Sequence, residues 1–161
     1  MPQFEIGGNE IELVEEMRVL GLIIRSDLKW SSNTESMVVK GYKRLWMLRR
    51  LKQYRANSEE LLDVFIKQIR SVLELAVPVW QSSITMQERS DIERVQRAAL
   101  NIILGYRYTS YKEALEFFNL DSLEDRRKKL CSTFAKKAVK HEKYQNWFKV
   151  NKTRSRTRQE Q

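Results

Sequence analysis

The sequence predicts a mainly α-helical fold: an N-terminal β-hairpin plus one more strand, then a bundle of about five helices and a disordered basic tail. Three observations predict it. Apolar residues alternate with polar ones at the N-terminus, then recur at spacings of three and four from about Ser32 onward. The stretch Asn57–Ser83 is apolar around most of its helical circumference, so it must be packed on most sides. The 161 residues include only five glycines and two prolines, a composition of few tight turns and long helices. That length suits one domain able to bury a core.

In order along the chain, Phe4, Ile6, Ile11 and Leu13 share one face of a hairpin turned at Gly7-Gly8. Arg18–Arg25 reads as a denser apolar strand with a bulge or close backbone approach at Gly21. Three short strands then form one small sheet, with a face on the helices. Ser32-x-x-Glu35 reads as a capping box opening a helix toward Tyr54. Its apolar face is read as Val38, Tyr42, Leu45 and Trp46, and its other face as Lys40, Lys43, Met47, Arg50 and Tyr54. Arg49 falls among the apolar positions without an explanation.

Ser58 is the expected N-cap of the central helix, with Glu59 and Glu60 on the positive end of its dipole. Its polar stripe is Asp63, Lys67, Arg70 and Glu74, and Pro78 places a kink or stop. Thr85-x-x-Glu88 opens a helix with Ile92, Val95, Ala99, Ile102 and Ile103 buried and Gly105 as its left-handed end. Ser110-x-x-Glu113 opens a short helix that turns Ala114, Leu115 and Phe118 inward. Ser122-x-x-Asp125 opens the last, with Leu130, Phe134, Ala135 and Ala138 on one side and lysines on the other. The division expected is 1–30 for the strands, 31–141 for the helices and 142–161 for the tail.

The net charge of +9 is unevenly placed. From Arg126 onward thirteen basic residues face only Glu142 and Glu160, whereas residues 1–125 carry 17 basic and 19 acidic groups. A second basic run lies in the first helix. Between Ser36 and Ser58 there is no acidic residue, against Lys40, Lys43, Arg44, Arg49, Arg50, Lys52 and Arg55. Cations beside aromatics along one helix suit a phosphate backbone with a base or sugar to lean on, although lysines snorkelling from a core helix give a similar pattern.

The signals for catalysis are mostly negative. One histidine, His141, and one cysteine, Cys131, are too few for a zinc site or a disulfide framework. Cys131 lies near basic residues that could lower its pKa, but a small buried hydrophobe is the better reading. No phosphate-binding glycine loop and no paired-aspartate strand for Mg²⁺ is present in these residues, so no enzymatic activity is expected of them. The polar N-terminus shows no signal-peptide pattern, and the central apolar run is too short and too charged for a membrane span. An intracellular setting, cytoplasmic or nuclear, is expected.

The order of motifs resembles a known family. Arg18–Trp30, RVLGLIIRSDLKW, is similar to the "YLG…LDxxLxW" segment that follows the catalytic palm in reverse transcriptases of non-LTR retrotransposons. Tyr42-Lys-Arg-Leu45, Leu48-Arg-Arg-Leu51, Pro78-Val-Trp80, Glu93–Leu100, Ile103-Leu-Gly105 and Tyr111–Leu115 continue in that family's order, as does Ser122–Lys137. Val19 departs from the Tyr or Phe common there. The resemblance reaches about Phe148. It implies that residues 1–30 form a primer-grip-like hairpin and last palm strand, with Leu20 and Gly21 in the grip, and that the helices form the thumb. The family's Tyr-x-Asp-Asp turn is absent from these residues, so the Mg²⁺ held by its palm has no place here and no cofactor is expected.

The expected function follows: a reverse-transcriptase fragment whose thumb-like helices bind RNA or RNA–DNA hybrid weakly and without sequence preference. The residues expected to neutralise phosphates are Lys40, Lys43, Arg44, Arg50, Lys52, Lys136, Lys137, Arg154, Arg156 and Arg158. The alternative is a helical protein-interaction module with no nucleic-acid role.

Overall fold

The structure, a computed structural model, describes residues 4–147. It is mainly helical, with its strands confined to the N-terminus. β1 (Phe4–Ile6) and β2 (Asn9–Ile11) pair antiparallel, Phe4 opposite Ile11, around the Gly7-Gly8 turn. β3 (Glu16–Val19) and β4 (Leu22–Arg25) form a second antiparallel hairpin. The single strand expected over Arg18–Arg25 is therefore a strand, a two-residue turn and a strand, and the expected one sheet is two. Leu20 and Gly21 sit at φ +48° and +91°, the two positive values that a tight hairpin turn requires. A leucine there is uncommon, and its apolar character hides the turn from a reading of composition.

β1 and β2 expose every side chain described, while the second hairpin is fastened to the helices. Leu22 enters the core, and the Ile23 N–H donates to Asn33 Oδ1 at 3.1 Å. Ser32 and Arg25 both donate to the Glu16 carboxylate. These bonds replace the expected capping box. α1 (Ser31–Gln53) starts at Trp30 without a side-chain cap, because Ser32 is turned toward β3.

The inward face of α1 is Asn33, Thr34, Met37, Gly41, Leu45 and Leu48. Tyr42 and Trp46, expected inside, are outside, at 41% and 59% exposure. The cause is Gly41. A Cβ there would stand 2.9 Å from Val95 Cγ1 and 3.1 Å from Leu73 Cδ2, so α1 touches its neighbours along a line through the glycine. A glycine counts as neither apolar nor polar in a periodicity reading, so the pattern puts the face beside that line.

α1 turns back into one helical rod: α2 (Ser58–Val64), a π-helical segment Phe65–Arg70 and α3 (Ser71–Leu73). Its N-cap is Asn57 rather than Ser58. Asn57 Oδ1 accepts the Glu59 and Glu60 N–H groups at 3.0 Å, and Glu60 takes the Asn57 N–H in return. Phe65, Ile69 and Leu73 are completely buried, as expected of the central helix. The π-segment carbonyls of Lys67 and Gln68 accept hydrogen bonds from Ser71 Oγ and Arg44. The rod stops before Pro78, through a left-handed Ala76 at φ +49°. Pro78 then opens α4 (Val77–Trp80), where its missing N–H costs no helical hydrogen bond. Buried Trp80 donates its indole N–H to the Leu75 carbonyl at 2.8 Å.

α5 (Met86–Leu104) carries the expected Thr85–Glu88 capping box and buries Ile92, Val95, Ala99, Leu100 and Ile103. It runs parallel to α1: Gly41 meets Val95, and Lys52 near the end of α1 meets the carbonyls of Ile102 and Ile103. Gly105 ends it at φ +60° and ψ −123°, outside the left-handed helical region expected but still glycine territory. α6 (Tyr111–Phe117) and α7 (Leu123–Lys140) are capped by Ser110 and Ser122 as their sequences predict. The expected inner face of α7 is covered only in part: Leu130 and Ala138 are half-buried, but Phe134 is 58% exposed and Ala135 is exposed. Glu142–Trp147, expected in a disordered tail, form a 3₁₀ segment. The tail with Arg154, Arg156 and Arg158 lies outside the described residues. Among those described, no helix is long and apolar enough to cross a membrane.

Candidate nucleic-acid interface

Once the inward line of α1 is fixed, its outward face follows from helical geometry. Val39, Tyr42, Lys43, Trp46, Arg49, Arg50 and Tyr54 lie at spacings of three and four, all exposed, opposite Met37, Gly41, Leu45 and Leu48. Trp46 is 59% and Tyr54 74% exposed, an unusual placement for large aromatics on a helix whose other side is packed tightly. Arg49, puzzling in sequence, belongs to this face.

The cations of the face are uncompensated. Among the described residues no carboxylate pairs with Lys40, Lys43, Arg49 or Arg50. Arg50 donates to Gln53 at 3.2 Å and to the Tyr54 hydroxyl at 3.3 Å, with its guanidinium carbon 5.5 Å from the Tyr54 ring centre. A ring below and an amide beside it hold the guanidinium in place while leaving donors outward. Lys40 stands half-buried at the flank.

Two expected members do other work. Lys52 follows Gly41, Leu45 and Leu48 at spacings of four, three and four, so it lies on the inward line. Its ammonium donates to the carbonyls of Ile102 and Ile103, satisfying the last turn of α5 at the negative end of that helix. Arg44, at the other flank, donates to the Gln68 carbonyl. Both tie α1 to its neighbours. Lys136 and Lys137 are exposed on the second half of α7, which packs chiefly on α4 and α5. The helices that α1 packs on are α5 and those of the rod, so the structure does not bring these lysines to its face. Leu20, 95% exposed, and Gly21 form a hairpin tip beside Leu75, toward the opposite end of α1 from Tyr54.

A second polar cluster is structural. Glu93, on α5, accepts the Leu123 and Glu124 N–H groups at 2.9 and 3.2 Å and the Tyr111 hydroxyl. A carboxylate from one helix thus caps the N-terminus of another. Burial, reinforced by this carboxylate, pushes the Tyr111 phenol far above its ordinary pKa. Arg127 is fully buried, with Nε donating to Gln81 at 2.7 Å, and its pKa is pushed down by burial. Neither Glu93 nor Arg127 carried a warning in sequence, because both sit within charge-rich helical repeats.

Burial pushes the Cys131 thiol up, outweighing the opposing field of Arg127. His141 is exposed and accepts the Lys143 N–H through Nδ1 at 3.2 Å. Among the described residues no group of three or more His, Cys, Asp or Glu side chains is placed to hold a metal ion. The outward face of α1 presents a line of cations suited to phosphates, interleaved with rings suited to sugars or bases. No protein-family model, curated protein or solved structure matches this chain.

Proposed function

We propose that this chain is the thumb-like part of a non-LTR retrotransposon reverse transcriptase, and that the outward face of α1 holds a primer–template duplex. The observation that carries the proposal is the uncompensated row of Lys43, Arg49 and Arg50 interleaved with exposed Tyr42 and Trp46 on a rigidly packed helix. The motif order from Arg18 to Lys137 supports the same reading. Cations on a helix neutralise phosphates at near-constant spacing and release counterions, so binding is driven electrostatically and falls with salt. Phosphate contacts fix position without reading sequence, so no sequence preference is expected. The reading includes no chemical step by these residues.

A second reading, a helical protein-interaction module, draws on exposed apolar residues such as Ile6 (72%) and Phe134 (58%). Trp46 separates the two. Under the duplex reading, an RNA–DNA hybrid quenches part of the protein's tryptophan fluorescence, and Trp46→Phe removes that part. Unchanged emission at saturating hybrid, or quenching that survives Trp46→Phe, counts against the α1 face.

A further inference from the structure

Beyond Tyr54, at the same end of the bundle, the end of α1, the start of α2 and the end of α5 surround a hollow of about 430 Å³. Its floor is apolar, from Leu61 and Leu104, and its lining includes two charged residues, Lys52 and Arg107, and no carboxylate. Of the acids near it, Glu60 accepts the Asn57 N–H and Glu113 accepts from Thr109 and Ser110, while Glu59 is exposed on the first turn of α2. Two other hollows of the described residues differ. One beside the start of α1 is lined by Glu35, Glu88 and Asp91, and one beside Tyr111 mixes Arg89 and Arg97 with Glu93 and Glu124.

Two side chains stand at the rim. Tyr106 is 97% exposed, directed outward by the Gly105 turn that follows α5. A Cβ at Gly105 would collide with Lys52 Nζ, so the glycine both turns the chain and lets Lys52 reach the α5 carbonyls. Arg107 is held in advance: one nitrogen donates to Ser58 Oγ at 2.9 Å, and its guanidinium carbon lies 6.0 Å from the Phe117 ring centre. An apolar floor, a free ring and a fixed cation are the parts of a site for one base and its phosphate.

We infer that this hollow takes an unpaired nucleotide from a single-stranded extension of the duplex on α1, its base against Tyr106 and its phosphate on Arg107. The inference rests on the reading of α1 as the duplex site, whose line of cations and rings runs through Arg50 and Tyr54 toward this end. Stacking on one ring strengthens binding by about fivefold or more.

The test is fluorescence anisotropy with a blunt RNA–DNA hybrid and the same hybrid carrying a three-nucleotide overhang of either polarity. Wild type binds one overhang polarity at least about fivefold tighter than the blunt hybrid. Tyr106→Ala, at a position too exposed to affect folding, equalises the two. Equal affinity of wild type for all three duplexes, or an overhang advantage that survives Tyr106→Ala, overturns the inference. Blunt binding with no overhang advantage leaves the α1 reading standing alone. Overhang binding that depends on Tyr106 without any blunt binding leaves the hollow standing and removes α1. Binding of none removes both.

Discussion

Replacing Gly41 with alanine sets two effects of opposite sign against each other. In an exposed helix the change stabilises by about 1 kcal/mol, because alanine loses less backbone freedom than glycine. Here the new methyl would stand 2.9 Å from Val95 Cγ1 and 3.1 Å from Leu73 Cδ2. Val95 is β-branched, completely buried and on a packed helix, so it cannot rotate away cheaply. Overpacking of this kind costs about 1–3 kcal/mol, so the net expectation is a loss of up to about 2 kcal/mol. Urea unfolding followed by circular dichroism reads it as a lower midpoint at constant slope. Val95→Ala supplies the control. Alone it costs on the order of 2 kcal/mol for two lost methyl groups and the cavity they leave. Combined with Gly41→Ala it makes room, so the double variant is more stable than the sum of the singles by at least about 0.5 kcal/mol. A stabilised Gly41→Ala, or strict additivity, would refute the close α1–α5 crossing and with it the assignment of the outward face.

Three other predictions follow from the same geometry. Glu93→Ala removes the acceptor for the Leu123 and Glu124 N–H groups and should cost about 2–3 kcal/mol by urea unfolding, with Glu93→Gln losing less. The Tyr111 phenol has a folded pKa raised above its ordinary value near 10, so above about pH 10 the unfolded chain binds fewer protons than the folded one. Stability therefore falls as pH rises past that point, by at most about 1.4 kcal/mol per unit from this group, and Tyr111→Phe should flatten the decline. A primed RNA template with Mg²⁺ and nucleotides should not be extended by the purified chain, and extension above a protein-free control would overturn the non-catalytic reading.

Local signals in the sequence survived folding. Caps at Thr85, Ser110 and Ser122 were legible because a cap depends on the four residues that form it. The change of period near Ser32 and the burial of Phe65, Ile69 and Leu73 were legible because each repeats over several turns. Features set by contact between elements were not. Ser32 lost its cap role to Glu16, fifteen residues before α1 begins, and Asn57 outcompeted Ser58 by one position. The π segment at Phe65–Arg70 has no composition of its own. In the candidate site, the excess of cations on α1 could be counted, but their sides could not. Gly41 is invisible to hydrophobic periodicity, so the sequence pattern puts Trp46 inside and Lys52 outside, the reverse of the structure.

The most direct measurement compares two charge-matched variants on one RNA–DNA hybrid across salt concentrations. Lys43, Arg49 and Arg50 changed together to Gln remove three charges from the outward face of α1. Lys128, Lys136 and Lys137 changed to Gln remove the same charge from α7. If α1 is the interface, the first variant loses affinity and flattens the log–log salt slope by about 0.9 for each phosphate contact removed, while the second changes both little. Equal losses in the two variants would contradict the account, because the binding would then follow net charge and no particular face.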